Sequence, residues 1–139
     1  MMTTAQSQFR SEDGGAMKKG LRSRIRTLRC PQFEPEQEIC QDRRFLQRCY
    51  VEGFDSAVWL ILEYMDKYTP LPELLFSHVE ELRAKRIADI HGDGQPGTVL
   101  CNAGFILACS KILKLVYELH GDEIEWSRAI ERVEDTETI

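Results

Sequence analysis

Apolar residues recur along most of this chain at intervals of three and four, the spacing that lays a stripe down one face of an α-helix. Ile39, Leu46, Cys49 and Tyr50 make the first stripe, and Glu36 and Glu38 sit where a helix N-terminus favours negative charge, so a helix is predicted over Pro35 to Val51. Gly53 is expected to interrupt it. A second helix follows from Asp55 to Tyr68, with Phe54, Val58, Ile61 and Met65 on one face, Ala57, Leu60 and Tyr64 on another, and Pro70 closing it. Pro72 suits the first position of a third helix running to Ile90, which turns Leu75, Val79, Leu82 and Ile87 inward and Glu80, Glu81, Arg83 and Lys85 outward.

The run HGDGQPG, His91 to Gly97, is dense in turn formers and separates this helix from a fourth. Thr98 is the expected N-cap, Leu119 the expected end, and His120 with Gly121 the stop signal. This fourth helix carries Cys101, Ala103, Gly104, Ala108 and Ser110, small residues that let another helix approach closely. A fifth begins at Asp122 and bears Ile124, Trp126, Ala129, Ile130 and Val133 before the acidic tail. No strand-like alternation or internal repeat competes. The predicted fold class is therefore all-α: a compact bundle of about five helices over residues 34–134, an acidic tail over 135–139, and a flexible basic arm and linker over 1–33 that is disordered alone or ordered by a partner.

Charge divides the chain the same way. Residues 1–33 hold seven basic and two acidic groups, a net of +5, whereas 34–139 hold eleven basic and twenty-one acidic, a net of −10. Six of the basic residues, Lys18, Lys19, Arg22, Arg24, Arg26 and Arg29, fall within twelve positions, with Leu21, Ile25 and Leu28 at helical spacing among them. An acidic body repels phosphate, so nucleic-acid contact is expected only through the arm. The plainer alternative is that the arm lies on its own acidic body or keeps the protein soluble. Deleting residues 1–29 is expected to leave the body folded. Met17, ahead of Lys18 and Lys19, would serve as a translation start as well as Met1 does.

At 139 residues the chain suits one domain, and its 42% hydrophobic and 29% charged content is that of a folded globular protein. The longest apolar stretch, Val99 to Cys109, contains Asn102 and soon meets Lys111, so it reads as a buried helix rather than a membrane span. No apolar run follows the N-terminal basic residues, and five cysteines, Cys30, Cys40, Cys49, Cys101 and Cys109, are an odd number. Free thiols in a reducing, cytoplasmic setting are expected.

Candidate chemistry is thin. The cysteine separations match no zinc spacing, so no metal and no cofactor is expected. His78, His91 and His120 fall in different segments, and His120 reads as a helix C-terminal residue. His91 with Asp93 is the one pair that suggests acid–base work, but the glycines around it read more simply as a turn. The loop lacks the lysine, spacing and preceding strand of a phosphate-binding loop. Adjacent carboxylates such as Glu80 and Glu81 diverge on a helix and read as solvated charge.

The function expected from these features is that of a non-enzymatic helical interaction protein: a regulator, adaptor or inhibitor that docks on another macromolecule. Trp59, Tyr64, Ala103, Gly104 and Ala108 are the expected contact residues, and a homodimer or obligate protein partner is expected to finish a core that two multi-faced helices overfill. The first alternative is a nucleic-acid-associated regulator using Lys18, Lys19, Arg22, Arg24, Arg26 and Arg29. The second is an enzyme with a site near His91 and Asp93.

Overall fold

The computed structural model describes residues 20–32 and 43–138, with side chains to Glu131. Four helices, all of the regular structure among these residues, follow one another: α1 (Leu21–Arg26), α2 (Arg43–Tyr68), α3 (Pro72–Ala88) and α4 (Pro96–Thr138). The fold is all-α, as the periodicity predicted, with four helices in place of about five. The difference arises at two joints.

At the first joint, Gly53 does not interrupt. α2 runs unbroken from Arg43 to Tyr68, so the two helices predicted around this glycine are one. A glycine costs about 1 kcal/mol inside a helix relative to alanine but does not break the hydrogen-bond ladder as proline does, and here packing offsets that cost. A Cβ at Gly53 would fall inside the Cys101 carbonyl of α4, and one at Gly104 inside the Tyr50 carbonyl of α2. The two glycines let the backbones of α2 and α4 touch. The predicted start at Pro35, with Glu36, Glu38 and Ile39, lies outside the described residues.

The second joint is His120, which departs from helical geometry (φ −131°, ψ 23°) and kinks α4 without ending it. The break falls at the expected residue, but the chain resumes as helix at once. α4 also starts earlier than predicted, at Pro96, so Thr98 lies inside its first turn and is not the N-cap. α3 follows its prediction closely, with proline in its first turn. Between α2 and α3, Thr69 takes a left-handed, helix-ending conformation (φ 45°), and Pro70 after it has no N–H with which to continue the helix.

α4 is the centre of the molecule. It packs against α1, α2 and α3, whereas α2 and α3 make few direct contacts with each other. Cys101 and Gly104 face α2; Asn102, Phe105 and Ser110 face α3. The core draws Phe54, Ala57, Ile61 and Met65 from α2, Leu75 and Val79 from α3, and Phe105, Ala108, Ile112 and Val116 from α4, with Ile124 beyond the kink. By length and composition alone, α4 from Pro96 to Glu131 would cross a membrane. In this fold it is the helix the others wrap, and its buried Asn102 is hydrogen-bonded to the chain that turns into it.

α1 corrects the flexible-arm expectation over its own length. Leu21 and Ile25 are fully buried in the same core, with Leu28 and Cys30 packed against it. The i, i+4 pair that reads as a face awaiting a partner finds that partner within the chain. Lys18 and Lys19 lie outside the described residues, as does the predicted tail's side-chain placement.

Candidate functional site

α1 and the segment after it present their polar side outward. Leu21 and Ile25 turn in, which leaves Arg22, Arg24, Arg26 and Arg29 exposed. Arg22 donates from Nε and Nη2 to the two carboxylate oxygens of Asp66 on α2, both at 2.8 Å. This bidentate pair holds the Asp66 carboxyl below its ordinary range and the guanidinium above its own. Arg24, Arg26 and Arg29 reach no carboxylate among the described residues. Arg24 and Arg26 stand in the last turn of α1, where the helix dipole favours cations.

The expected contact residues separate into two groups. Gly104 and Ala108 are buried against the chain's own α2, and Ala103 is half-buried. The small-residue face that predicted a close-packing partner has one in cis. Tyr64 is likewise engaged, its ring stacked on His78 of α3 at 3.7 Å between centroids and 7° from parallel. Trp59 alone of the five stays open, at 60% exposure.

Other apolar residues stand uncovered besides Trp59. Tyr68, Leu71 and Leu74 are exposed around the α2–α3 corner, and Trp126 (69% exposed) with Ile130 one turn on lies beyond the kink. Part of the signal for the corner was present: Leu74 falls off the Leu75, Val79, Leu82 stripe, whereas Leu71 fits its spacing but precedes Pro72 and stands outside the helix. The signal for Trp126 was present too: it stands two positions from Ile124 and so on the opposite side of the helix from the residue that takes the core position.

The turn His91–Gly97 is structural. Gly92 and Gly94 take positive φ, and the Asp93 carboxylate accepts from the Gln95 amide at 3.0 Å and from the Thr98 hydroxyl, which hold its pKa below the usual carboxylate range. His91 is exposed and Asp93 is spent on the turn, so the pair does not converge on a third polar group. Asn102, buried on α4, donates from Nδ2 to the carbonyls of Asp89 and Ile90 at 2.9 and 3.0 Å, closing the end of α3, while its Oδ1 accepts from Arg86 at 3.1 Å. Arg86 lies flat over the Phe105 ring at 3.8 Å, and Arg83 donates to Ser110 at 2.8 Å. This seam fixes α3 on α4.

Beyond the kink, buried His120 pairs through Nδ1 with Glu123 at 2.9 Å, and Arg128 reaches Glu80 of α3 at 2.6 Å. Among the described residues no group of histidine, cysteine or carboxylate side chains could hold a metal. Cys30, Cys49, Cys101 and Cys109 are free thiols. Burial raises the Cys109 thiol to about 11, against which nearby Arg86 and Arg83 pull only weakly. It stays protonated and unreactive at neutral pH.

His78 is the pH-sensitive group. Its partial burial under Tyr64 holds its pKa below the free value, with Lys85 adding to the shift and Glu81 opposing it. The unfolded chain then binds the proton more readily than the folded one, so stability is intact above about pH 6.5 and falls as pH drops through and below that value. Melting temperature across a pH series should show this loss, and His78→Phe, which keeps an aromatic partner for Tyr64, should flatten it. An unchanged slope in the variant would assign the effect to other groups.

Fold and surface together define an all-α protein built on one kinked central helix, with a basic face on one side and uncovered aromatic residues elsewhere. Compared with protein-family models, curated protein sequences and solved structures, the chain gives no match.

Proposed function

We propose that this chain is a non-enzymatic helical interaction protein that docks on another protein through apolar residues its own fold leaves uncovered. The observation that carries this reading is the position of the two tryptophans: Trp59 and Trp126 are 60% and 69% exposed although the close backbone contact of α2 and α4 at Gly53 and Gly104 has already closed the core. Large aromatics contribute most to binding when a partner desolvates them, and a small soluble domain gains nothing from leaving both in water. Around them, Ile130 extends the Trp126 face, and Tyr68, Leu71 and Leu74 form a second apolar corner.

Two further features favour docking over catalysis. His91 and Asp93 are spent on or beside a turn, and the remaining polar clusters tie helices together. Self-association is the case to test first. Light scattering over a rising concentration series should give a mass approaching two chains, with tryptophan emission shifting to the blue as the rings leave water. Trp126→Glu with Leu74→Glu should hold the mass at one chain without loss of helical signal. A wild-type mass fixed at one chain to the solubility limit, with unshifted emission, would eliminate the homodimer.

A further inference from the structure

The exposed arginines of α1 do not end with α1. Arg44 and Arg48 lie four apart near the start of α2, and Arg48, Asp55 and Asp66 follow at intervals of seven and eleven, which places all of them on one face of that helix. α1 lies along this same face: Arg22 grips Asp66 at its upper end, and Cys30 lies within electrostatic reach of Asp55 and of Tyr50 lower down. Arg26, one turn on from Arg22, and Arg29 therefore lie toward the stretch between Asp66 and Arg48, and Arg48 and Arg44 continue it, whereas Arg24, two positions from Arg22, projects from the opposite side of α1. From Arg44 to Asp66 the face covers about 33 Å of helix axis.

The four arginines of this row, Arg26, Arg29, Arg44 and Arg48, are exposed, and none reaches a carboxylate among the described residues. This bears on why they are there. Were the basic segment merely neutralising an acidic body, it would pair along its length; instead, among the described residues, only Arg22 of this segment pairs, and Glu52, Asp55 and Glu63, the other carboxylates near the face, take no arginine. Nor is the segment built for a lipid surface, since an amphipathic helix binds a bilayer through its apolar side, and Leu21 and Ile25 are already fully buried in the core.

We propose that this arginine row is a contact surface for the phosphate backbone of nucleic acid, with Arg22 as the positioning residue that pins it. Guanidinium groups match phosphate oxygens in bidentate fashion, a preference lysine lacks. Contacts of this type set position without reading bases, so binding is independent of sequence. The acidic remainder of the body confines the approach to this one side.

The test is fluorescence anisotropy of a labelled mixed-sequence duplex titrated with the full chain across a salt series. Four phosphate contacts give a slope of about −3.6 for the logarithm of affinity against that of salt, roughly a 150-fold loss between 50 and 200 mM. Arg26→Gln with Arg29→Gln should make that slope shallower by about 1.8, and Arg44→Gln with Arg48→Gln by a similar amount. Because these side chains are exposed, unchanged circular dichroism should accompany both. Absence of duplex binding at about 50 mM salt, or equal binding by both variants, would overturn the proposal. So would stronger binding of the chain to polyglutamate or to phosphatidylserine vesicles than to the duplex, which would reassign the row to an acidic protein or a membrane. The self-association variants change Trp126 and Leu74, on α4 and α3, and leave these arginines in place, so this test and that of self-association fail independently.

Discussion

Gly53→Ala and Gly104→Ala are each expected to destabilise the protein by about 3 kcal/mol, with the melting temperature falling by about 10 °C. The sign is the opposite of the ordinary one. In an exposed helix interior the same substitution gains about 1 kcal/mol, because alanine loses less backbone entropy than glycine on folding. Here the added methyl has nowhere to go: at Gly53 it meets the backbone of Cys101, and at Gly104 that of Tyr50 with the Phe54 amide behind it. Flexible side chains yield cheaply, but backbone carbonyls move only with their helices. Separating α2 from α4 would loosen Phe54, Ala57, Phe105 and Ala108 together. Urea titration of each variant checks this, and a midpoint equal to or above wild type at either position would mean that the helices do not touch there.

The second large effect concerns α1. Leu21→Ala and Ile25→Ala are each expected to cost about 2–5 kcal/mol, the range for truncating a fully buried aliphatic side chain. Removal of residues 1–29 takes away both, together with Leu28 and the Arg22–Asp66 pair. Since domains of this kind are stable by only about 5–15 kcal/mol, the shortened chain should stand near its unfolding threshold. The basic pattern on its own implied the reverse, a dispensable arm. Denaturant midpoints of the shortened chain and the two point variants decide the matter; an unchanged midpoint after deletion would place α1 outside the core. Any loss of duplex binding after deletion would then mix unfolding with lost contacts, so the surface arginine variants are the sharper probe.

Much of the fold was legible in the residues. The span of α3, with Pro72 at its start, follows from its own periodicity. The end of α2 follows from Pro70, and the turn at His91–Gly97 from glycines that take positive φ where only glycine does so freely. His120 was marked as a break by the histidine–glycine pair, and a kink is there. The surface was less legible. Arg44 and Arg48 were counted with an acidic body, although their four-residue spacing already placed them on one face. Trp59 was assigned to a contact surface and is open; Gly104 and Ala108 were assigned with it and are buried.

By itself, then, the sequence determined what depends on near neighbours: the helical class, the proline and glycine punctuation, and the division of charge between the two ends. These follow from backbone sterics and from contacts three or four residues apart, which any short window contains. Only the tertiary structure decided which faces were spent and which remained. Whether Gly53 breaks a helix or seats one depends on Cys101, forty-eight positions on, and whether Leu21 and Ile25 await a partner depends on α2 and α4. A small residue or an apolar stripe states only that something can approach. Which surface does so is settled by packing across the whole chain, and that choice left the arginine row and the two tryptophans facing water.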